Sequence, residues 1–221
     1  MRQPLANALF EPGIRNADSR SGPPAQPSIF AHRASNGSAR VELLSHRPLI
    51  VYAREVLTAG ESRYLVQRAV AATRGGARTA ALSESGRYSS DRVLQSLQRR
   101  LARLSGRAVE HFEPMTAVLC RRGQQLRAHW DAEEYPRALR ESRQSVISFF
   151  VHLTTLTAAD GGALVFPRLA LSVQPVAGDA VCWLNVTRSG RVLRSTLHFG
   201  DEVAGDVDKW AINVWIREPP A

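Results

Sequence analysis

Hydrophobic and polar positions change rhythm twice along this chain. Through residue 38 the sequence carries Pro12-Gly13, Ser21-Gly22-Pro23-Pro24 and Asn36-Gly37-Ser38 with few large apolar residues, which predicts a flexible N-terminal arm over residues 1–38. From residue 39 apolar positions recur, and Val41-Glu-Leu-Leu44 followed by Leu49-Ile50-Val51-Tyr52 reads as the first strands. Thr58 and Glu61 have the spacing of a capping box, and Tyr64, Leu65, Arg68 and Ala69 continue a helical face that ends near Gly75-Gly76. A second helix starts at Ser90-Asp91, carries Val93, Leu94, Leu97, Leu101 and Leu104 on one stripe with arginines on the other, and stops at Gly106. This helix is expected to pack on a sheet. Past Glu113-Pro114 the texture becomes short strands between turns: Thr116–Cys120, Ser145–Leu153, Ala163–Phe166, Leu171–Val173, Ala180–Leu184, Arg194–Phe199 and Trp210–Ile216. No helix-length segment separates the later strands, so the pattern predicts an α+β chain with a sandwich or jelly roll rather than alternating strand–helix units.

Composition narrows the setting. With 221 residues, 44% of them hydrophobic, the chain is long enough for one substantial core. It has neither an apolar run of the ~20 residues a spanning helix needs nor the apolar segment of a secretion signal, and the expected location is cytoplasmic, with no membrane partner. Cys120 and Cys182 sit inside apolar runs and read as reduced, packed thiols. The formal charge of +9 raises the question of nucleic acid, but the arginines are scattered from Arg2 to Arg217 without a dense basic run, which disfavours that partner. Of the 29 basic residues, Lys209 alone is a lysine. A compact ammonium retained among planar guanidiniums invites a chemical explanation, with chance as the plain alternative.

His129 and Asp131 are two positions apart, so on extended backbone both side chains leave one face. With the distant His198 they form a set of two histidines and one carboxylate. Such a set caps one face of an octahedron and leaves positions open, as in non-haem Fe(II) oxygenases. On spacing alone the metal stays open, with zinc as the competitor.

The surrounding motifs carry a resemblance. Gly123-Gln124 ahead of His129-Trp130-Asp131, the Gly161-Gly162 to Phe166-Pro167 hairpin, Val173-Gln174-Pro175 with the Gly178-Asp179 turn, Cys182-Trp183-Leu-Asn185, and Thr196-Leu197-His198 to Lys209-Trp210 and Trp215-Ile216-Arg217 occur in order. Over roughly residues 40 to 217 the chain resembles the prolyl 4-hydroxylase-like family of Fe(II)/2-oxoglutarate dioxygenases. The resemblance implies a double-stranded β-helix (jelly-roll) core flanked by N-terminal helices, with residues 39–221 as the dioxygenase domain. It implies His129, Asp131 and His198 as iron ligands and Lys209 as partner of the distal carboxylate of 2-oxoglutarate. Fe(II), 2-oxoglutarate, O2 and accessory ascorbate are the implied cofactors. The implied reaction is oxidative decarboxylation of the oxo-acid to succinate, coupled to hydroxylation of an unactivated C–H bond. The substrate is a prolyl residue, a free amino acid or a small biosynthetic metabolite.

Alternation from Lys209 places Ala211, Asn213 and Trp215 on one face, which makes Trp215 and Asn213 candidate pocket residues, with core packing as the alternative for Trp215. Arg143 corresponds to the basic residue the family uses in substrate contact. His152, within an apolar strand, reads as a hydrogen-bonded core residue or a neighbour of the cofactor. His32, His46 and His111 read as surface or structural. Cys120 and Leu126 stand where the family carries tyrosines, which lowers the polarity expected near the metal and weakens a peptidyl proline as substrate. Two rivals remain at this stage: a non-catalytic jelly-roll binding module and a nucleic-acid demethylase of the same superfamily.

Overall fold

The computed structural model describes residues 40–73, 77–132 and 144–217; the expected arm, Arg143 and Gly75-Gly76 lie outside them. The chain begins with β1 (Arg40–His46) and β2 (Leu49–Arg54), followed by helix α1 (Ala59–Ala72), the short β3 (Thr79–Ala81) and helix α2 (Arg92–Ser105). After α2 come β4 (Thr116–Cys120), β5 (Leu126–His129), β6 (Ser145–His152), β7 (Leu164–Phe166), β8 (Leu171–Val173), β9 (Ala180–Leu184), β10 (His198–Gly200) and β11 (Lys209–Arg217).

Both helices start as their sequences dictate. Thr58 Oγ1 accepts the Glu61 amide at 3.2 Å, and the Thr58 amide donates to Glu61 Oε2 at 2.7 Å, which closes the capping box of α1. The same carboxylate receives both Arg100 terminal nitrogens at 2.8 Å, tying α2 to the start of α1. Asp91 caps α2 by accepting from the amides of Val93 and Leu94, and Gly106 ends it in the left-handed region at φ 66. Leu94, Leu97 and Leu101 are fully buried from this one stripe. No helix among the described residues is long and apolar enough to cross a membrane.

The strands form two antiparallel sheets, a seven-stranded one in the order β1-β2-β9-β6-β11-β4-β3 and a four-stranded one in the order β5-β10-β7-β8. Alternation along the central strands divides the interior. Ile147, Phe149 and Val151 of β6 and Ile212, Val214 and Ile216 of β11 pack against Leu65, Ala69 and the α2 leucines. On the opposite face Phe150 and Ala211 meet Leu164, Phe166, Val173 and Trp183 between the sheets. At ~25 cal/mol per Å2 of apolar surface removed from water, the first cluster dominates folding. The second walls a chamber whose polar lining is described next. The fold is a jelly roll with its helices on the outside of the larger sheet.

Local differences from the sequence expectations have physical causes. A strand was expected over Arg194–Phe199, but Arg194–Thr196 make a tight turn and β10 starts at His198. Thr196 Oγ1 donates to the Leu193 carbonyl at 2.7 Å, so a hydroxyl competes with sheet pairing there. Two short strands, β3 and β5, lack the apolar alternation that marks longer ones: β5 reads half-buried, exposed, exposed, half-buried.

Candidate metal centre

The smaller sheet sets the two histidines opposite each other, because β10 pairs with β5 in a register that makes His198 and His129 direct partners. Asp131 follows just beyond β5, and one ligand atom from each of the three residues lies within 4.8 Å of the others. The Nε2 atoms of His129 and His198 approach Asp131 Oδ1 at 3.4 and 3.7 Å. Each Nδ1 lies near a backbone carbonyl, His129 at 2.7 Å from Arg127 and His198 at 2.9 Å from Thr196. Both contacts favour the Nδ1–H tautomer and leave the Nε2 lone pairs facing the carboxylate, as metal-binding imidazoles require.

Asp131 is oriented from behind. Ser148 Oγ donates to its Oδ2 at 2.6 Å, and Asn185 Nδ2 donates to Ser148 Oγ at 2.8 Å. This relay occupies Oδ2 and leaves the buried Oδ1 without a hydrogen bond among the described residues. Phe166 and Trp183 hold the His198 ring, with centroids at 5.6 and 4.8 Å. Burial opposes ionisation of Asp131, but the close approach of the His129 ring, the His198 charge and the Ser148 hydroxyl prevail and hold it below the usual carboxylate range. The Asp131 contact keeps His129 above its ordinary value, whereas burial lowers His198.

Farther along β11, Lys209 is 2% exposed and its Nζ has no hydrogen-bond partner among the described residues. Burial lowers its pKa. The surrounding wall is apolar: Cys120 is its cross-strand partner on β4, and Cys120, Leu156 and Val203 cluster with Leu126 beside them. Gly162, at φ +72, brings its backbone so close that a Cβ there would meet Leu156 at 2.8 Å and Lys209 Cδ at 3.3 Å. A buried ammonium without an anion is costly, and the donor chemistry of this enclosure fits a carboxylate. The triad and Lys209 thus offer one end for a divalent cation and the other for the far end of an oxo-dicarboxylate.

The turns named by the sequence hold these ends in place. The Gly123 amide donates to the Val203 carbonyl at 2.8 Å and the Val203 amide to the Gln124 carbonyl at 3.1 Å, fastening the loop that separates His198 from Lys209. Gln174 Nε2 donates to the Thr157 and Gly161 carbonyls at 2.6 and 2.8 Å, and Asp179 accepts from Tyr52 Oη and the Glu55 amide at 2.7 and 2.8 Å.

Residues 115–217 match the family model described as the 2OG-Fe(II) oxygenase superfamily. The chain is similar to this superfamily over that segment. It is 31% identical over 132 residues to prolyl 4-hydroxylase subunit alpha-1 of Rattus norvegicus, covering 58% of this chain and 24% of the relative. It is 23% identical over 243 residues to probable prolyl 4-hydroxylase 9 of Arabidopsis thaliana, covering 94% and 83%. The structure of a viral collagen prolyl hydroxylase from Paramecium Bursaria Chlorella virus-1, a 2-oxoglutarate complex, matches with a TM-score of 0.65 at 20% identity, covering 77% of this chain and 96% of that one. The chain therefore spans only about a quarter of the animal subunit's length.

Of the other residues singled out in the sequence, Asn213 and Trp215 share the Lys209 face of β11, opposite Phe150 and Ser148 of β6. Asn213 Oδ1 and Trp215 Nε1 are buried without hydrogen-bond partners among the described residues. His46 is exposed and His111 half-buried, both away from the triad, and His32 lies outside the described residues. Sequence reasoning assigned no role to Ser148 or Asn185. The available signal was Ser148's place among the inward positions of β6, where a polar side chain needs a partner.

Proposed function

We propose that this protein is an Fe(II)/2-oxoglutarate-dependent oxygenase that hydroxylates an unactivated C–H bond, with His129, Asp131 and His198 holding iron and Lys209 holding the distal carboxylate of the oxo-acid. The observation that carries this reading is the convergence of two Nε2 atoms on the unpartnered Oδ1 of a buried aspartate. The chemistry such a site supplies when loaded is dioxygen activation coupled to decarboxylation of 2-oxoglutarate to succinate.

The chain's own side chains set the geometry. Nδ1 contacts fix both imidazoles, the Ser148–Asn185 relay holds Asp131, and Lys209 neutralises the far end of the acid in an enclosure that excludes water. The side chains of Asp131 and His198 are 1% and 6% exposed against 43% for His129, so substrate approaches over the His129 edge. Asn213 and Trp215 line the approach, and the substrate is a prolyl residue, a free amino acid or a small metabolite. A purely structural role for the triad would leave its unpaired Oδ1 and the unpaired Lys209 without a purpose.

The test is anaerobic addition of Fe(II) and 2-oxoglutarate, followed by admission of oxygen. A metal-to-ligand charge-transfer absorption and then succinate are expected from the wild type, and both should vanish in His129→Ala. Absence of both from the wild type would overturn the proposal.

A further inference from the structure

His152 is fully buried at the end of β6, and both its ring nitrogens lack hydrogen-bond partners among the described residues. Its backbone is satisfied, since its amide donates to the Asp179 carbonyl and its carbonyl accepts from the Gly178 amide, each at 2.9 Å. Only the ring is without a partner. A neutral imidazole carries one N–H, and an interior donor with nothing to receive its proton is uncommon because its desolvation is uncompensated.

The ring's position gives the orphan a meaning. His152 is the cross-strand partner of Ala211, two positions from Lys209 on the same inward face. Both approach the same Phe150 ring, Lys209 Nζ at 5.5 Å from its centroid and the His152 ring edge-on at 5.4 Å. Two unpartnered donors, one ammonium and one imidazole, thus meet one enclosure with apolar walls. A carboxylate has two oxygens and would accept from both.

We infer that His152 donates a ring N–H to the far carboxylate of 2-oxoglutarate beside Lys209, so that the acid is held at two points. This inference rests on the oxygenase reading above. The pKa of His152 is lowered to about 3 by burial and by the Lys209 charge, which keeps the imidazole neutral and its single N–H available. The second anchor selects the oxo-acid: an acid without the far carboxylate gains nothing from His152, and one that has it gains a charge-assisted hydrogen bond.

The experiment measures dissociation constants on the anaerobic Fe(II) protein by charge-transfer absorption for 2-oxoglutarate and for 2-oxopentanoate, which lacks the far carboxylate. His152→Leu should weaken 2-oxoglutarate by about tenfold or more while leaving 2-oxopentanoate within about twofold. His152→Gln, which keeps an N–H donor, should stay within about threefold of the wild type for both acids. An unchanged 2-oxoglutarate constant in the leucine variant, or equal weakening of both acids, would mark His152 as packing alone and overturn the inference. His152→Met carries the same comparison where the leucine variant does not fold. A wild type that shows no 2-oxoglutarate band overturns the oxygenase reading together with this one, whereas a normal wild type with an indifferent His152→Leu overturns only the role of His152.

Discussion

Replacing Lys209 by methionine sets co-substrate binding against folding within one variant. The two side chains have similar length, so the wall of Cys120, Leu156 and Val203 should accept the change while the charge disappears. In the free protein the ammonium is 2% exposed with no bonded anion among the described residues, and burial depresses its pKa. A depressed lysine pKa means that the unfolded chain binds more protons between the folded and unfolded values. The burden on stability is therefore full below the folded pKa and lifts as pH rises through it toward the ordinary lysine range. Lys209→Met should raise the free protein's denaturation midpoint at neutral pH and abolish that alkaline rise.

Binding should move the other way. With the cation gone, the far carboxylate of 2-oxoglutarate enters the same apolar enclosure unpaired, and breaking a buried pair costs about 3–5 kcal/mol. At about 1.4 kcal/mol per tenfold, affinity falls by roughly two to three and a half orders of magnitude. Titration of the anaerobic Fe(II) protein with 2-oxoglutarate reads this directly, and metal affinity measured without the acid should be unchanged. A variant that binds the acid within about threefold of the wild type, against the hundredfold or more expected from a broken buried pair, would refute the reasoning.

Three further substitutions probe the surroundings. Ser148→Ala frees Asp131 Oδ2 from its 2.6 Å bond and should weaken metal binding by about 10–100-fold in a competition titration, with secondary structure unchanged by circular dichroism. Gly162→Ala forces a side chain onto φ +72 and a methyl to within 2.8 Å of Leu156, and should cost about 1–3 kcal/mol in urea denaturation. Thr58→Ala removes the hydroxyl half of the α1 capping box, and should cost about 1 kcal/mol in the same assay without altering 2-oxoglutarate affinity.

Elements whose local signals agreed were legible in the sequence. The box of Thr58 and Glu61 and the stripe of Leu94, Leu97 and Leu101 specify their helices from nearby residues alone, and both form. The strand that begins at Thr116 is also where it was expected. β3 and β5 were not legible because short strands with exposed positions are stabilised by their partners, Thr79 by Val118 and Leu126 by Gly200, far away in sequence. The turn at Arg194–Thr196 depended on where a threonine hydroxyl points, which alternation does not encode.

The site divides along a related line. β11 shows how one candidate stood out in the sequence: Ile212, Val214 and Ile216 meet the helices, while Lys209, Ala211, Asn213 and Trp215 share the other face. A lysine at an inward position contradicts a hydrophobic face, and that contradiction is visible in a single sequence. Ser148 and His152 break the inward face of β6 in the same way, and each marks a polar group that burial obliges to find a partner. Ser148 has its partner in Asp131. By the same reasoning, the unpartnered ring of His152 calls for a ligand beside Lys209.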